Sequence, residues 1–112
     1  MSFSLESLEA IITERAASSA EASYTRALKV KGIQKAAEKL GEESVEAVIA
    51  AVVQDDASLT GEAADILFHL LVVLNMRGIP VSDVMAELNR RTGQSGHAEK
   101  ASRPGTTEAN GR

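Results

Sequence analysis

Between Glu62 and Met76 the chain carries only two formal charges, Glu62 and Asp65, and both are carboxylates. The rest of the stretch is mostly Ala, Ile, Leu, Phe and Val. Read at 100° per residue it is a helix that is apolar nearly all round, and such a helix must be covered on most sides. A chain of 112 residues has few elements to cover it with. The expected fold is therefore all-α, a small helical bundle completed by dimerisation. The two carboxylates add a second constraint. Burying them without partners is costly, and a cation is the simplest partner for acids spaced i,i+3 on one helix.

A matching acid group precedes this stretch. Glu42-Glu43-x-x-Glu46 lies in a predicted helix from about Ile33 to Val53, where Ile33, Ala36, Ala37, Leu40 and Ala47 share a face. Glu43 falls on the edge of that face, Glu46 one step further round, and Glu42 points furthest outward. If the two helices pack antiparallel, Glu43 and Glu46 meet Glu62 and Asp65 across the connection, and four carboxylates so placed repel one another without a cation. The donors are hard oxygens, with no cysteine and no paired histidine, so Mg²⁺ or Mn²⁺ fits best. A di-iron bundle would want Glu-x-x-His, but the fourth position here is Asp65. The bland alternative is a solvated acidic face, which suits Glu42 better than Glu62.

Other residues divide in the same way. His69, one turn beyond Asp65, is either a core histidine hydrogen-bonded to Asp65 or a residue that orients Asp65 toward a metal. Lys39, one turn before Glu43, either holds a phosphate or is simply solvated. His97 carries no signal by itself. Gly41 costs helix stability and marks close approach of a ligand or a helix.

The remaining elements follow from caps and breakers. A first helix runs from about Ser4 to Ala17, with Ser4 as N-cap and Leu5, Leu8, Ile11 and Ile12 as its stripe. A short helical turn begins at Ser23-Tyr24-Thr25 and ends near Gly32. Asp56 or Ser58 caps the apolar helix, which ends near Arg77 before Gly78 and Pro80. A last helix spans Val81 to about Arg91, with Ser82 as cap and Val84, Met85 and Leu88 as packing residues. Beyond Gly93 the composition turns to Gly, Ser, Thr and Pro. The reading is a domain over 1–92 and a polar, flexible tail over 93–112.

Composition excludes several classes. Aromatics make up 3% and hydrophobic residues 44%, so small aliphatic side chains build the core. A net charge of −4 and the lack of a basic stripe argue against nucleic acid. The acidic N-terminus is not a signal peptide, and the run Ile66–Met76 is too short to span a bilayer, so no membrane partner is expected. The lack of cysteine suits a cytoplasmic protein. Serine-nucleophile, Walker and Rossmann patterns are missing.

These residues resemble a known family. Glu-Glu-x-x-Glu followed by Glu-x-x-Asp is similar to the signature of the MazG-like all-α nucleotide pyrophosphatases. The longer pattern resembles the phosphoribosyl-ATP pyrophosphatase family of histidine biosynthesis. It is carried by Ser23-Tyr24-Thr25, Lys31-Gly32-Ile33, Lys39 to Glu46, Glu62 to Leu71, Arg77-Gly78 and Val84 to Leu88, over roughly residues 5 to 92. Two positions depart from the family pattern. Glu38 stands where a second lysine is expected, and Ala22 where an acid is common.

The resemblance implies Mg²⁺-dependent hydrolysis of phosphoribosyl-ATP to phosphoribosyl-AMP and pyrophosphate by a homodimer or higher homo-oligomer. Glu43, Glu46, Glu62 and Asp65 would be the metal ligands and Glu42 a helper that orients water or holds a second ion. Water would be oriented or deprotonated by Glu42 or Glu46, and Lys39 would neutralise the departing pyrophosphate. Two rivals stay open: a housecleaning nucleoside triphosphate pyrophosphatase with the same metal chemistry, and a non-enzymatic helical dimerisation module.

Overall fold

The computed structural model describes residues 2–19 and 23–93, and among these it is entirely helical. Ala22, His97 and the expected tail over 93–112, apart from Gly93, lie outside the described residues. The helices are α1 (Leu5–Ala16), α2 (Tyr24–Lys31), α3 (Ile33–Val53), α4 (Asp56–Met76) and α5 (Val81–Thr92). They fall into two compact units, one ending at Val81 and one beginning at Ser82.

Local chemistry sets most of the ends. Ser4 caps α1 through a reciprocal box: its Oγ accepts the Ser7 N–H at 3.1 Å, and its own N–H donates to Ser7 Oγ at 3.2 Å. Ser23 caps α2 by accepting the Arg26 N–H at 3.1 Å. Gly32 (φ +102°) and Gly78 (φ +71°) take backbone conformations that favour glycine, and they close α2 and the turn after α4.

Two caps differ from expectation. Asp55, not Asp56 or Ser58, caps α4, and its Oδ1 accepts the Ser58 N–H at 2.9 Å. Ser82 lies inside the first turn of α5, because the helix starts directly after Pro80. The Val81 N–H instead donates to Glu9 Oε2 of α1 at 2.8 Å.

The Asp55 cap makes a pH-dependent prediction. The Ser58 N–H bond holds the Asp55 carboxyl below the usual aspartate range. Its stabilisation is therefore present above the ordinary aspartate pKa and is lost as pH falls through the lowered folded value. Asp55→Ala is expected to lower the melting temperature at neutral pH. The gap to the parent protein should close as a thermal-melt series descends below about pH 4.

Packing centres on α4. Ile12, Leu28, Ala36, Leu71, Val72 and Val81 form the buried cluster, with Leu5, Leu8, Phe68, Val73, Leu74 and Met76 packed against it. The two-residue link Gln54-Asp55 turns α3 back along α4 as an antiparallel hairpin. On α3 the inward line is Ala36, Leu40, Glu43, Ala47 and Ala50, at alternating spacings of four and three. Glu43 thus lies within the inner line and not at its edge, while Ile33 and Ala37 are exposed. A Cβ at Gly41 would meet nothing within 4 Å, so no close approach within the described chain requires that glycine.

By length and composition alone, α4 could cross a membrane: it is 21 residues long, against the shorter run Ile66–Met76 considered from sequence. It also carries Glu62 and Asp65, both turned toward Glu43 of α3, a pairing that a lipid-facing helix does not favour.

α5 carries its own ion pairs. Glu87 meets Arg90 at 2.8 Å and Arg91 at 2.9 Å. The hydrogen bonds from these guanidinium groups hold the Glu87 carboxyl at about 2. Met85 and Leu88, expected as packing residues, are exposed, whereas Val84 is half-buried.

Candidate functional site

The hairpin determines which acids meet. Glu43 precedes Gln54 by eleven residues and Asp65 follows Asp55 by ten, so antiparallel packing sets them opposite each other. Glu43, Glu62 and Asp65 each offer a carboxylate oxygen, and these oxygens lie within 4.8 Å of one another. Glu43 and Glu62 are half-buried and Asp65 is exposed, so the cluster opens toward solvent on the Asp65 side.

The chemistry of the cluster is unbalanced. Oε1 of Glu43 and Oε1 of Glu62 are both shielded from solvent, and neither has a hydrogen-bond partner. Buried carboxylate oxygens without donors are rare and need a proton or a cation. Burial pushes the Glu62 carboxyl above its ordinary value, and the neighbouring charge of Glu46 adds to it, followed by Glu43 and Asp65. Three hard oxygen donors, two of them unpartnered, fit a divalent hard cation such as Mg²⁺ or Mn²⁺.

The other expected residues fall around this trio. Glu46 is exposed and outside the group of three, yet its charge reaches Glu62. Glu42 is exposed and ion-paired with Lys39, whose Nζ donates to Glu42 Oε1 at 3.1 Å. That bond is the main reason the Lys39 ammonium sits above its ordinary value, with smaller contributions from Tyr24 and Glu43. Glu38, in the position of the missing second lysine, pairs with Lys35 at 3.4 Å.

His69 is buried, but it is bonded to the main chain of Asp65 and not to its carboxylate. Its Nδ1 donates to the Asp65 carbonyl oxygen at 2.8 Å. A carbonyl only accepts, so Nδ1 carries a proton, and in the neutral imidazole Nε2 is then the acceptor. The group facing Nε2, at 3.0 Å, is the Tyr24 hydroxyl, which donates. Both ring nitrogens are thereby used, and neither is left for the Asp65 carboxylate. His69 instead ties the first turn of α2 to α4, one helical turn from the acids.

Tyr24 was singled out from sequence only as part of the Ser-Tyr-Thr resemblance. The pairing spans 45 positions along the chain. The one local hint is that Tyr24 is the sole tyrosine and follows a capping serine.

By sequence, the chain is also similar to known proteins. Residues 5–92 match the family described as phosphoribosyl-ATP pyrophosphohydrolase. A phosphoribosyl-ATP pyrophosphatase of Agrobacterium fabrum is 61% identical over 102 residues, covering 91% of this chain and 95% of that protein. One from Rhizorhabdus wittichii is 55% identical over 104 residues, covering 93% and 98%. One from Methylobacterium nodulans is 60% identical over 101 residues, covering 90% and 94%.

Proposed function

The chain belongs to the phosphoribosyl-ATP pyrophosphohydrolase family, and from that premise we infer how its residues divide the work. It hydrolyses 1-(5-phospho-β-D-ribosyl)-ATP to 1-(5-phospho-β-D-ribosyl)-AMP and pyrophosphate, the second step of histidine biosynthesis. The observation that carries the assignment of the site is the convergence of Glu43, Glu62 and Asp65, with two oxygens shielded and unpartnered.

In this reading Glu43, Glu62 and Asp65 hold a Mg²⁺ ion, and Glu46 supplies a fourth oxygen or stays free as a base. When bound, the ion would supply charge compensation for the triphosphate and polarise its phosphoryl oxygens. The chain's own residues do the rest. Glu42 and Lys39 neutralise each other in the substrate-free state. A phosphate that draws Lys39 away releases Glu42 at the same moment, so one carboxylate becomes available to orient or deprotonate water as the lysine takes up pyrophosphate charge. Glu46, exposed beside the trio, is the second candidate for that proton transfer. The Tyr24–His69–Asp65 chain of hydrogen bonds holds this part of α4 against α2. We place the reaction in the cytoplasm, and we read the functional unit as a homodimer or a larger homo-oligomer.

The test supplies phosphoribosyl-ATP and a panel of nucleoside triphosphates with Mg²⁺ and measures pyrophosphate release. Preference for phosphoribosyl-ATP is expected. Preference for a plain triphosphate would replace this reading with a housecleaning pyrophosphatase. A melting temperature equal in Mg²⁺ and in EDTA, with no turnover, would leave a helical dimerisation module.

A further inference from the structure

The chain has three aromatic side chains, Phe3, Tyr24 and Phe68, and no tryptophan. Two of them form one built feature. Tyr24 and Phe68 stack with centroids 6.1 Å apart and planes 25° from parallel. His69 meets the Tyr24 ring edge-on at 5.7 Å and accepts a hydrogen bond from its hydroxyl. The ring is therefore held on one face, along one edge and at its tip. It is nevertheless 51% exposed, so part of the ring stays open to solvent. An aromatic ring fixed this firmly and half-exposed is already organised to meet a ligand, so little ordering remains to be done when one arrives.

Its position matches one part of the substrate. His69 lies one turn beyond Asp65, a rise of about 5.4 Å along α4. The Tyr24 hydroxyl is joined through His69 to the main chain of Asp65, whose carboxylate belongs to the acid trio. In a nucleotide, one ribose separates the α-phosphate from the base.

We propose that the exposed surface of the Tyr24 ring receives the purine of the substrate and distinguishes phosphoribosyl-ATP from ATP by the positive charge on its base. This rests on the reading above that phosphoribosyl-ATP is the substrate. Attachment of the second ribose at N1 uses that nitrogen's lone pair. The N1–C6–N6 amidine then holds its proton at neutral pH, so the purine is cationic, whereas the adenine of ATP is neutral. A flat cation over a tyrosine face is favoured by the ring quadrupole, an effect that discriminates by about 3- to 30-fold. The hydrogen bond that the hydroxyl donates to His69 enriches the ring in electrons and strengthens the same preference. Lys39 would oppose a cationic base, but its charge is paired with Glu42 at 3.1 Å in the free chain and, in the reading above, with the pyrophosphate once substrate is bound. A neutral stacking platform would bind both bases alike, so charge is the property that tells them apart.

Because Tyr24 is the sole tyrosine in a chain without tryptophan, it is its own reporter. Titration of the intact protein with 1-methyl-AMP and with AMP should quench its fluorescence. The N1-methylated ligand is expected to bind about 3- to 30-fold tighter. Equal affinities, or quenching by neither ligand, would overturn the proposal.

Kinetics provide the second arm, after turnover of phosphoribosyl-ATP by the parent protein has been established. That first measurement separates failure of the substrate reading from failure of this one. Tyr24→Leu should raise the KM for phosphoribosyl-ATP about 10-fold while the inhibition constant of ATP stays within about 2-fold. Tyr24→Phe keeps the ring and should keep most of the discrimination. Equal weakening toward both nucleotides, or Tyr24→Phe as damaging as Tyr24→Leu, would assign Tyr24 a structural tie to His69 only. The 1-methyl-AMP titration decides the matter even if the leucine variant does not fold.

Discussion

Glu62→Gln is expected to raise the melting temperature of the metal-free protein by a few degrees and, in the same variant, to lower kcat by about 10²-fold or more. The two effects have one origin. Glu62 is half-buried, its Oε1 is shielded and unpartnered, and Glu43, Asp65 and Glu46 all add negative charge around it. Without a cation this arrangement works against folding, and an uncharged amide of the same shape relieves it. With a cation the same unfavourable charge becomes affinity, because the ion binds the folded chain and not the unfolded one. The variant should therefore lose the rise in melting temperature that Mg²⁺ gives the parent protein.

Glu43→Gln should behave in the same way, since its Oε1 is also shielded and unpartnered. Asp65→Asn should cost comparable activity with less gain in metal-free stability, because Asp65 faces solvent. Thermal melts in Mg²⁺ and EDTA, set beside pyrophosphate release, check all three. Near-normal turnover in Mg²⁺ for any of them would remove that residue from the proposed ligand set.

How far the sequence reached can be judged from particular residues. Helix ends closed by a local device were legible, because the signal lies within a few positions. Ser4 and Ser23 start helices, and Gly32, Gly78 and Pro80 stop them. At α4 three neighbouring residues, Asp55, Asp56 and Ser58, could each serve as cap. Only the extended backbone at Asp55 decides between them. The start of α5 at Val81, directly after Pro80, was legible, but its cap was not, since its first N–H is satisfied by Glu9, 72 positions earlier.

The candidate site divides along the same line. Glu43, Glu62 and Asp65 are related by a hairpin with a two-residue link, so helical spacing and the turn together bring them into register. The Tyr24–His69 bond has no such local source. It depends on α2 being laid against α4, and no periodicity in either segment points to it. Likewise His69 could be placed near Asp65 from its i+4 spacing, but whether it met the carboxylate or the carbonyl depended on which ring nitrogen Tyr24 occupied.

A second large effect is expected on the outer face of α3. Val45, Val48, Ile49 and Val52 repeat at helical spacing and are exposed in the single chain, Val48 at 64% and Val52 at 76%. A contiguous exposed apolar stripe of this kind marks an association surface. We read it as the face on which two copies of the chain meet. It lies on the helix that also carries Glu42, Glu43 and Glu46. Burying a valine side chain contributes about 1.5 kcal/mol. In a two-fold dimer every residue counts twice. The double variant Val48→Asp, Val52→Asp removes four such contributions per dimer and sets like charges against each other across the axis. Association should weaken by roughly 10²-fold or more.

Sedimentation over a range of protein concentrations reads that change directly. The melting temperature should fall with it and become concentration-dependent, because folding of each chain is linked to pairing. Pyrophosphate release should fall as well, since the α3–α4 hairpin that holds the acids would lose its cover. A variant that stays dimeric at micromolar concentration would place the interface elsewhere. A variant that is monomeric yet fully active would show that the acids of one chain suffice, and that α3 is exposed for another reason.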